Sequence, residues 1–330
     1  MTPEKKHKEP LPTHVWSPLT PKLAFQLTGP QTWAATITAV SFALTYSIVT
    51  KIAVGAGPCK ATIDPLMGAV LLLICVLMQS AVNVFDDYFD YKKGTDTLDN
   101  SSKDKFDAVL VYNQVNPKSV LWLGIGLLIV AGALGGFVIY RCGWIPLVIG
   151  VIGALVVVLY AGGKMPLSHL PIGEIVSGFV MGGLIPLACC FALTGTLDGF
   201  VLVYAVPIMI GIGMINATNN TCDIEKDGAA GRQTLAVRLG RPRAPKTYKG
   251  FVVIWIASVT VLVGAGFASG LPVVLLMLLG AFPVLRALFK NPLIQQSRDG
   301  AMAQIVSLNI IFCAFYCMSL LVGTLVTWSL

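Results

Sequence analysis

Nine stretches of this chain, near 31–50, 65–88, 119–140, 144–161, 172–194, 199–221, 250–269, 271–289 and 302–328, run almost without charge. Each is close to the roughly 20 residues that a helix needs to cross the hydrocarbon core of a bilayer. In lipid the backbone must satisfy its own hydrogen bonds, so each run is expected as a helix. Only 12% of the 330 residues are charged, about half the share of a soluble domain. The mean hydropathy of +0.78 agrees. The expected fold class is therefore all-α and integral to the membrane, with nine transmembrane helices in a bundle. Residues 1–22 are expected as a mobile polar tail and 23–330 as the transmembrane domain. The first thirty residues lack the apolar core and cleavage site of a secretory signal, and Trp16 to Leu27 suits the headgroup zone.

The basic residues fix an orientation. With a cytoplasmic N-terminus, all of the 23 lysines and arginines except Lys51, Lys60 and Arg141 fall in cytoplasmic segments, as the positive-inside rule asks. The C-terminus is then outside. The net charge of +7 reflects this topology, and no nucleic-acid-binding signature accompanies it. Most of the eight cysteines lie inside apolar segments and are expected as small hydrophobes, with no zinc-ligand spacing among them. A disulfide between Cys59 and Cys142, both in expected outer loops, is left open. Gly178 and Gly182 are four apart, a small-residue pair that suits close helix packing.

Two acidic constellations interrupt the apolar pattern, each at the cytoplasmic end of an expected helix. The first is N-V-F-D-D-Y-F-D-Y-K-K-G-T-D, Asn83 to Asp96. Asn83, Asp86, Asp87 and Asp90 recur every three or four residues and share one helical face. The second runs from Asn216 to Gly240 and opens N-A-T-N-N-T-C-D-I-E-K-D-G. Asn216, Asn219 or Asn220, Asp223 and Asp227 again line one face, and Gly228 is expected to end that helix. Like charges one turn apart at a membrane boundary repel. A divalent cation reverses that sign. Mg²⁺ takes carboxylate and phosphate oxygens, with water completing its shell. Two such helix ends suit a Mg²⁺-complexed diphosphate, with Lys92 or Lys93, Lys164, Lys226 and Arg232 as candidate phosphate partners. Glu174 has two readings, as an acceptor-positioning group or as an acid favoured in a helix's first turn. Asp64 is expected as a helix start. Tyr88, Phe89 and Tyr91 are expected as boundary anchors rather than as cation-stabilising rings.

These motifs resemble the UbiA superfamily of membrane aromatic prenyltransferases, in particular its 1,4-dihydroxy-2-naphthoate polyprenyltransferase branch. The resemblance rests on D-Y-F-D-Y-K-K-G-T-D (Asp87 to Asp96), on Asp223-x-x-x-Asp227, on G-R-Q-T-L-A-V-R-L-G (Gly231 to Gly240) and on Y-A-G-G-K (Tyr160 to Lys164). It implies catalytic, metal-binding roles for Asp87, Asp90, Asp223 and Asp227, with Asp86 as a further metal ligand. It implies diphosphate contacts for Asn83, Asp86, Lys92, Tyr160, Lys164, Asn219, Asn220, Lys226 and Arg232. Where many members carry Arg-Pro before the first helix, this chain has Gly29-Pro30. The implied activity is Mg²⁺-dependent transfer of a polyprenyl group from its diphosphate to 1,4-dihydroxy-2-naphthoate, with loss of carboxylate, at the cytoplasmic face of the cell membrane in menaquinone biosynthesis. The other readings are a different acceptor ring, such as 4-hydroxybenzoate, and an ion-coupled transporter. The acids lie at one membrane face rather than near the midplane, where transport sites sit.

Overall fold

The structure, a computed structural model, describes residues 16–53, 63–93, 109–161 and 166–328; for Asp90 and Lys93, among others, it describes the backbone alone. Among the described residues fourteen α-helices follow one another: α1 (Pro21–Leu27), α2 (Trp33–Lys51), α3 (Pro65–Lys93), α4 (Val109–Asn113), α5 (Pro117–Cys142), α6 (Ile145–Ala161), α7 (Gly173–Phe179), α8 (Ile185–Thr194), α9 (Phe200–Tyr204), α10 (Val206–Cys222), α11 (Ile224–Ala229), α12 (Leu235–Gly266), α13 (Leu271–Lys290) and α14 (Arg298–Trp328). Among the described residues there is no strand, only an isolated bridge between Ser17 and Val115.

Seven helical segments of the described residues are long and apolar enough to cross a membrane: Pro21–Lys51, Pro65–Phe89, Pro117–Cys142, Gly173–Thr194, Leu235–Gly266, Ala268–Lys290 and Gln295–Val326. The expected spans near 144–161 and 199–221 are also helical. However, α6 and α10 have only 17 residues each, below the length of the other seven. The helix starts follow local chemistry. Asp64 Oδ1 accepts from the Leu66 and Met67 amides at 2.9 and 3.3 Å, so it caps α3 ahead of Pro65 as the sequence suggests.

Two compact units are present. The first comprises Met1–Pro30 and Ser80–Leu128; the second comprises Gln31–Gln79 and Ile129–Leu330. In the first, Leu27, Val84, Val109, Leu110, Val115 and Val120 form a small buried core. Tyr88 and Tyr91 pack against it, and Trp16 meets Tyr91 edge-on at 6.4 Å. These rings pack within the unit, whereas Phe89 is exposed.

In the second unit α14 packs against α2, α10 and α13, and α10 packs in turn on α7 and α12. Trp255 of α12 meets Phe312 of α14 at 4.4 Å between centroids, and Phe42 of α2 stacks on Tyr316 of α14 at 6.0 Å. Between α7 and α10 the packing is tighter still. A Cβ on Gly182 would lie 2.6 Å from Met209 Cα, and one on Gly213 would lie 2.8 Å from the Glu174 carbonyl oxygen. Gly178 likewise leaves no room for a Cβ, because the Met209 carbonyl lies against it. Small residues at such a crossing let backbones meet where lipid supplies no hydrophobic drive. A single π turn, Val180–Leu184, joins α7 to α8.

Gly182→Ala should therefore destabilise the protein by roughly 1–3 kcal/mol, the usual cost of overpacking. Gly132 has nothing within 4 Å of its notional Cβ, so Gly132→Ala should be neutral or stabilising by up to about 1 kcal/mol. Thermal unfolding midpoints in detergent compare the two.

Candidate active site

The second acidic motif lies in the second unit, where α10 ends. Its helix stops at Cys222 rather than at Gly228: Asp223 takes φ −102° and ψ 21° and joins α10 to α11. Gly228 lies inside α11, and the left-handed position belongs to Gly231, at φ +74°. Hydrogen bonding carries across the joint. The Asp227 amide donates to the Asp223 carbonyl at 2.8 Å, and the Arg232 amide to the Asp227 carbonyl at 2.9 Å. Asp223 and Asp227 thus stay one turn apart, although the helix axis breaks between them.

Both carboxylates are buried, at 8% and 4% exposure. Each has one arginine. Arg298, the first residue of α14, approaches Asp223 Oδ2 at 3.5 Å and donates to Asn219 Oδ1 at 2.8 Å. Arg232 lies 3.4 Å from Asp227 Oδ1. The remaining oxygens, Asp223 Oδ1 and Asp227 Oδ2, have no hydrogen-bond partner among the described residues. Buried polar atoms in folded proteins are nearly always paired, and a charged oxygen left alone is among the costliest to bury. Two orphaned carboxylate oxygens one turn apart suit a hard divalent cation, which takes the rest of its shell from phosphate and water. The donor set fits Mg²⁺ in this respect. Among the described residues no three acidic, histidine or cysteine side chains converge, so the second motif offers a partial shell. Lys226 is half-buried on α11.

Burial pushes the Asp227 carboxyl above the usual carboxylate range; Arg232 opposes the shift and Asp223 adds to it. Without metal, the folded protein therefore holds this proton more tightly than the unfolded chain does. Its contribution to stability is complete below the ordinary carboxylate pKa and is lost as pH rises through the raised value.

A second polar row runs between α7, α10 and α6. Asn216 donates to Ser177 Oγ at 2.7 Å and to Tyr160 Oη at 3.2 Å. Asn220 donates to Glu174 Oε1 at 2.8 Å. The two adjacent asparagines thus diverge, Asn219 toward α14 and Asn220 toward α7. Glu174 is 9% exposed.

The first motif lies in the first unit, at the end of α3. Asn83 donates to the Thr28 carbonyl at 2.8 Å. Its amide presses on Gly29, where a Cβ would lie 2.5 Å from Asn83 Nδ2, and Gly29 has φ +59°. An arginine here would be strained in the backbone and crowded at Cβ. The glycine is thus set by packing, and Lys22, an exposed residue, is the nearest basic residue in sequence. Asp86 is exposed, Asp87 half-buried and Lys92 exposed. The Asp90 side chain, Cys59, Asp96 and Lys164 lie outside the described residues. The Cys142 thiol donates to the Ala192 carbonyl at 3.2 Å.

Arg298 and Arg241 are site residues that sequence reasoning counts only as topology. Arg241 pairs through two nitrogens with Glu225 and holds that carboxyl below its usual range. It also donates to the carbonyls of Thr221 at 2.8 Å, Cys222 at 2.9 Å and Leu293 at 2.5 Å. It thereby satisfies the open carbonyl end of α10. Gly240, at φ 68° and ψ 169°, makes the kink that aims it, in a region open essentially to glycine alone. That glycine ends the G-R-Q-T-L-A-V-R-L-G motif, which was the available signal.

A model of the UbiA prenyltransferase family matches residues 52–311. The chain belongs to this family. With its apolar helices, that makes it a multi-pass membrane protein of the UbiA family. The 1,4-dihydroxy-2-naphthoate octaprenyltransferase of Bacillus subtilis (strain 168) is 33% identical over 199 residues, 60% of this chain and 61% of that protein. UbiA prenyltransferase domain-containing protein 1 of Danio rerio is 34% identical over 181 residues, 52% of this chain and 51% of that protein. Each alignment covers less than two thirds of the relative's length. Among solved structures, a UbiA homolog from Archaeoglobus fulgidus bound to GPP and Mg²⁺ superposes with TM-score 0.63. That match has 11% identity over 90% of this chain and 99% of the other, a likeness of fold.

In EDTA, the wild-type unfolding temperature should fall as pH rises above the ordinary carboxylate range. The fall should be shallower in Asp227→Asn. Parallel slopes would remove Asp227 as the buried proton holder.

Proposed function

We propose that this protein transfers a polyprenyl group from its diphosphate to 1,4-dihydroxy-2-naphthoate, with loss of the ring carboxylate, as a step of menaquinone biosynthesis at the cytoplasmic face of the cell membrane. The observation that carries the reading is the pair of orphaned oxygens on Asp223 and Asp227, each carboxylate flanked by an arginine. Acids alone would repel a diphosphate; acids and arginines together suit one that arrives with a divalent cation. The likeness to the naphthoate octaprenyltransferase of Bacillus subtilis supports the choice of acceptor.

When bound, Mg²⁺ would supply electrostatic stabilisation of the departing diphosphate. Asp223 and Asp227 would hold it in this unit, and Asp86, Asp87 and Asp90 are the first motif's candidates. Arg232 and Lys226 neutralise phosphate oxygens as negative charge gathers on the leaving group, an effect greatest in the transition state. Arg298 fixes the Asp223 carboxylate and Asn219 so that neither reorganises during the reaction. The allylic C–O bond to the diphosphate breaks, a C–C bond to the ring forms, and the ring carboxylate leaves as CO₂. Apolar helix faces keep water from the allylic cation, which would otherwise be hydrolysed.

The test is turnover by purified protein in detergent, with Mg²⁺, a labelled polyprenyl diphosphate and a panel of aromatic acceptors. Decarboxylated prenyl-naphthoquinol that disappears with EDTA is the expected product. Asp87→Ala and Asp223→Ala should each lower the rate by at least roughly 10²–10³-fold. Near-normal activity in either would overturn the metal-clamp scheme, and product with another ring alone would overturn the naphthoate assignment. Arg298→Ala should lower kcat, and Arg298→Lys, which keeps the charge but loses the fork, should recover part of it.

A further inference from the structure

Glu174 is the buried acid that the diphosphate chemistry leaves unused. Its Oε1 accepts from Asn220, while its Oε2 has no hydrogen-bond partner among the described residues. An ionised carboxylate is met by a hydrogen-bond donor or by a cation. No second acid stands one turn from Glu174 along α7 to share a cation as Asp223 and Asp227 would, so a donor fits best, and a diphosphate oxygen is excluded by like charge. The backbone that carries this side chain is held in place from behind. Gly213 lets α10 close onto the Glu174 carbonyl, Gly178 and Gly182 bring Met209 against α7, and Ser177 Oγ donates to the same Glu174 carbonyl at 3.1 Å. With its backbone fixed and its Oε1 held by Asn220, the carboxylate can offer Oε2 to a ligand without first giving up another bond. Its other oxygen is tied to Asn220, three residues before Asp223 on the helix that carries the second motif.

We propose that Glu174 Oε2 anchors the aromatic acceptor by accepting a hydrogen bond from a ring hydroxyl, which makes Glu174 a positioning residue for the acceptor rather than for the diphosphate. This rests on the prenyl-transfer reading above. The competing role is helix-to-helix glue through Asn220 alone. Glu174→Gln separates the two. The glutamine keeps the size and an oxygen for Asn220, but its amide nitrogen would donate where an acceptor is required.

The experiment is equilibrium binding to the full-length protein in detergent. A dihydroxynaphthoate and its ring-hydroxyl methyl ether are titrated in parallel, alongside an unreactive prenyl thiolodiphosphate with Mg²⁺. Glu174→Gln should weaken binding of the hydroxyl-bearing ring by roughly 10- to 100-fold, the scale of a lost hydrogen bond to a charged group. It should bind the methyl ether as the wild type does, leave the thiolodiphosphate affinity unchanged and unfold at the wild-type temperature. Glu174→Asp, which keeps an accepting oxygen, should restore part of the discrimination between the two rings. Unaltered affinity for the hydroxyl-bearing ring in Glu174→Gln overturns the anchor while leaving the prenyl-transfer reading intact. Equal losses for ring and thiolodiphosphate, or a lowered unfolding temperature, overturn it in favour of glue. A wild type that binds the thiolodiphosphate but no hydroxyl-bearing ring overturns the acceptor class and the anchor together.

Discussion

A carboxylate withdrawn from water must be met by a cation or by hydrogen-bond donors, and the second acidic motif meets this requirement only in part. Arg232 and Arg298 each satisfy one side of Asp227 and Asp223 and leave one oxygen of each open. Much of the surrounding architecture maintains that imbalance. The break at Asp223 keeps both acids within a turn of each other, and Arg241 holds the open end of α10 so that the break does not fray. Two carboxylates held this way are costly to bury, and a cation meeting their open oxygens would recover part of that cost.

The α7–α10 crossing sets the second condition. Helices in lipid gain little from burying apolar surface against each other, so contact depends on shape and on polar side chains that find partners. Here glycines supply the shape, and Asn216, Ser177, Tyr160, Asn220 and Glu174 supply the bonds. The crossing carries a polar row into an apolar bundle and fixes its geometry at the same time.

Much of this is legible in the sequence. The apolar runs mark the helices, Asp64 marks a cap, and Gly178 and Gly182 mark a close crossing. The Asp223-x-x-x-Asp227 spacing survives as an i to i+4 hydrogen-bonded pair. What is not legible depends on neighbours distant in sequence. Asn219 and Asn220 are adjacent, yet a helical step of about 100° sends them to different helices, and only the fold says that these are α14 and α7. Arg298 looks like one more orienting charge until α14 brings it to Asp223. Gly29 looks like a lost arginine; its positive φ and the pressure of Asn83 show why no larger residue fits. Gly228 has the composition of a helix end, but the break falls at Asp223, where Arg241 satisfies the Thr221 and Cys222 carbonyls and the Asp227 amide satisfies that of Asp223.

The π turn at Val180–Leu184 has a consequence for how this bundle can vary. The Ile185 amide bonds to the Val180 carbonyl, one residue further back than in an α-helix, so the turn holds a residue more than regular geometry needs. A π turn spreads roughly the rotation of one α-helical turn over one more residue, so removing that residue would restore a continuous helix with Glu174 and the α8 half still facing as they do. Removing one residue from a regular stretch of the same span would instead turn its two halves by about 100° relative to each other. This one turn can therefore lose a residue without changing which faces meet, which the rest of the span cannot.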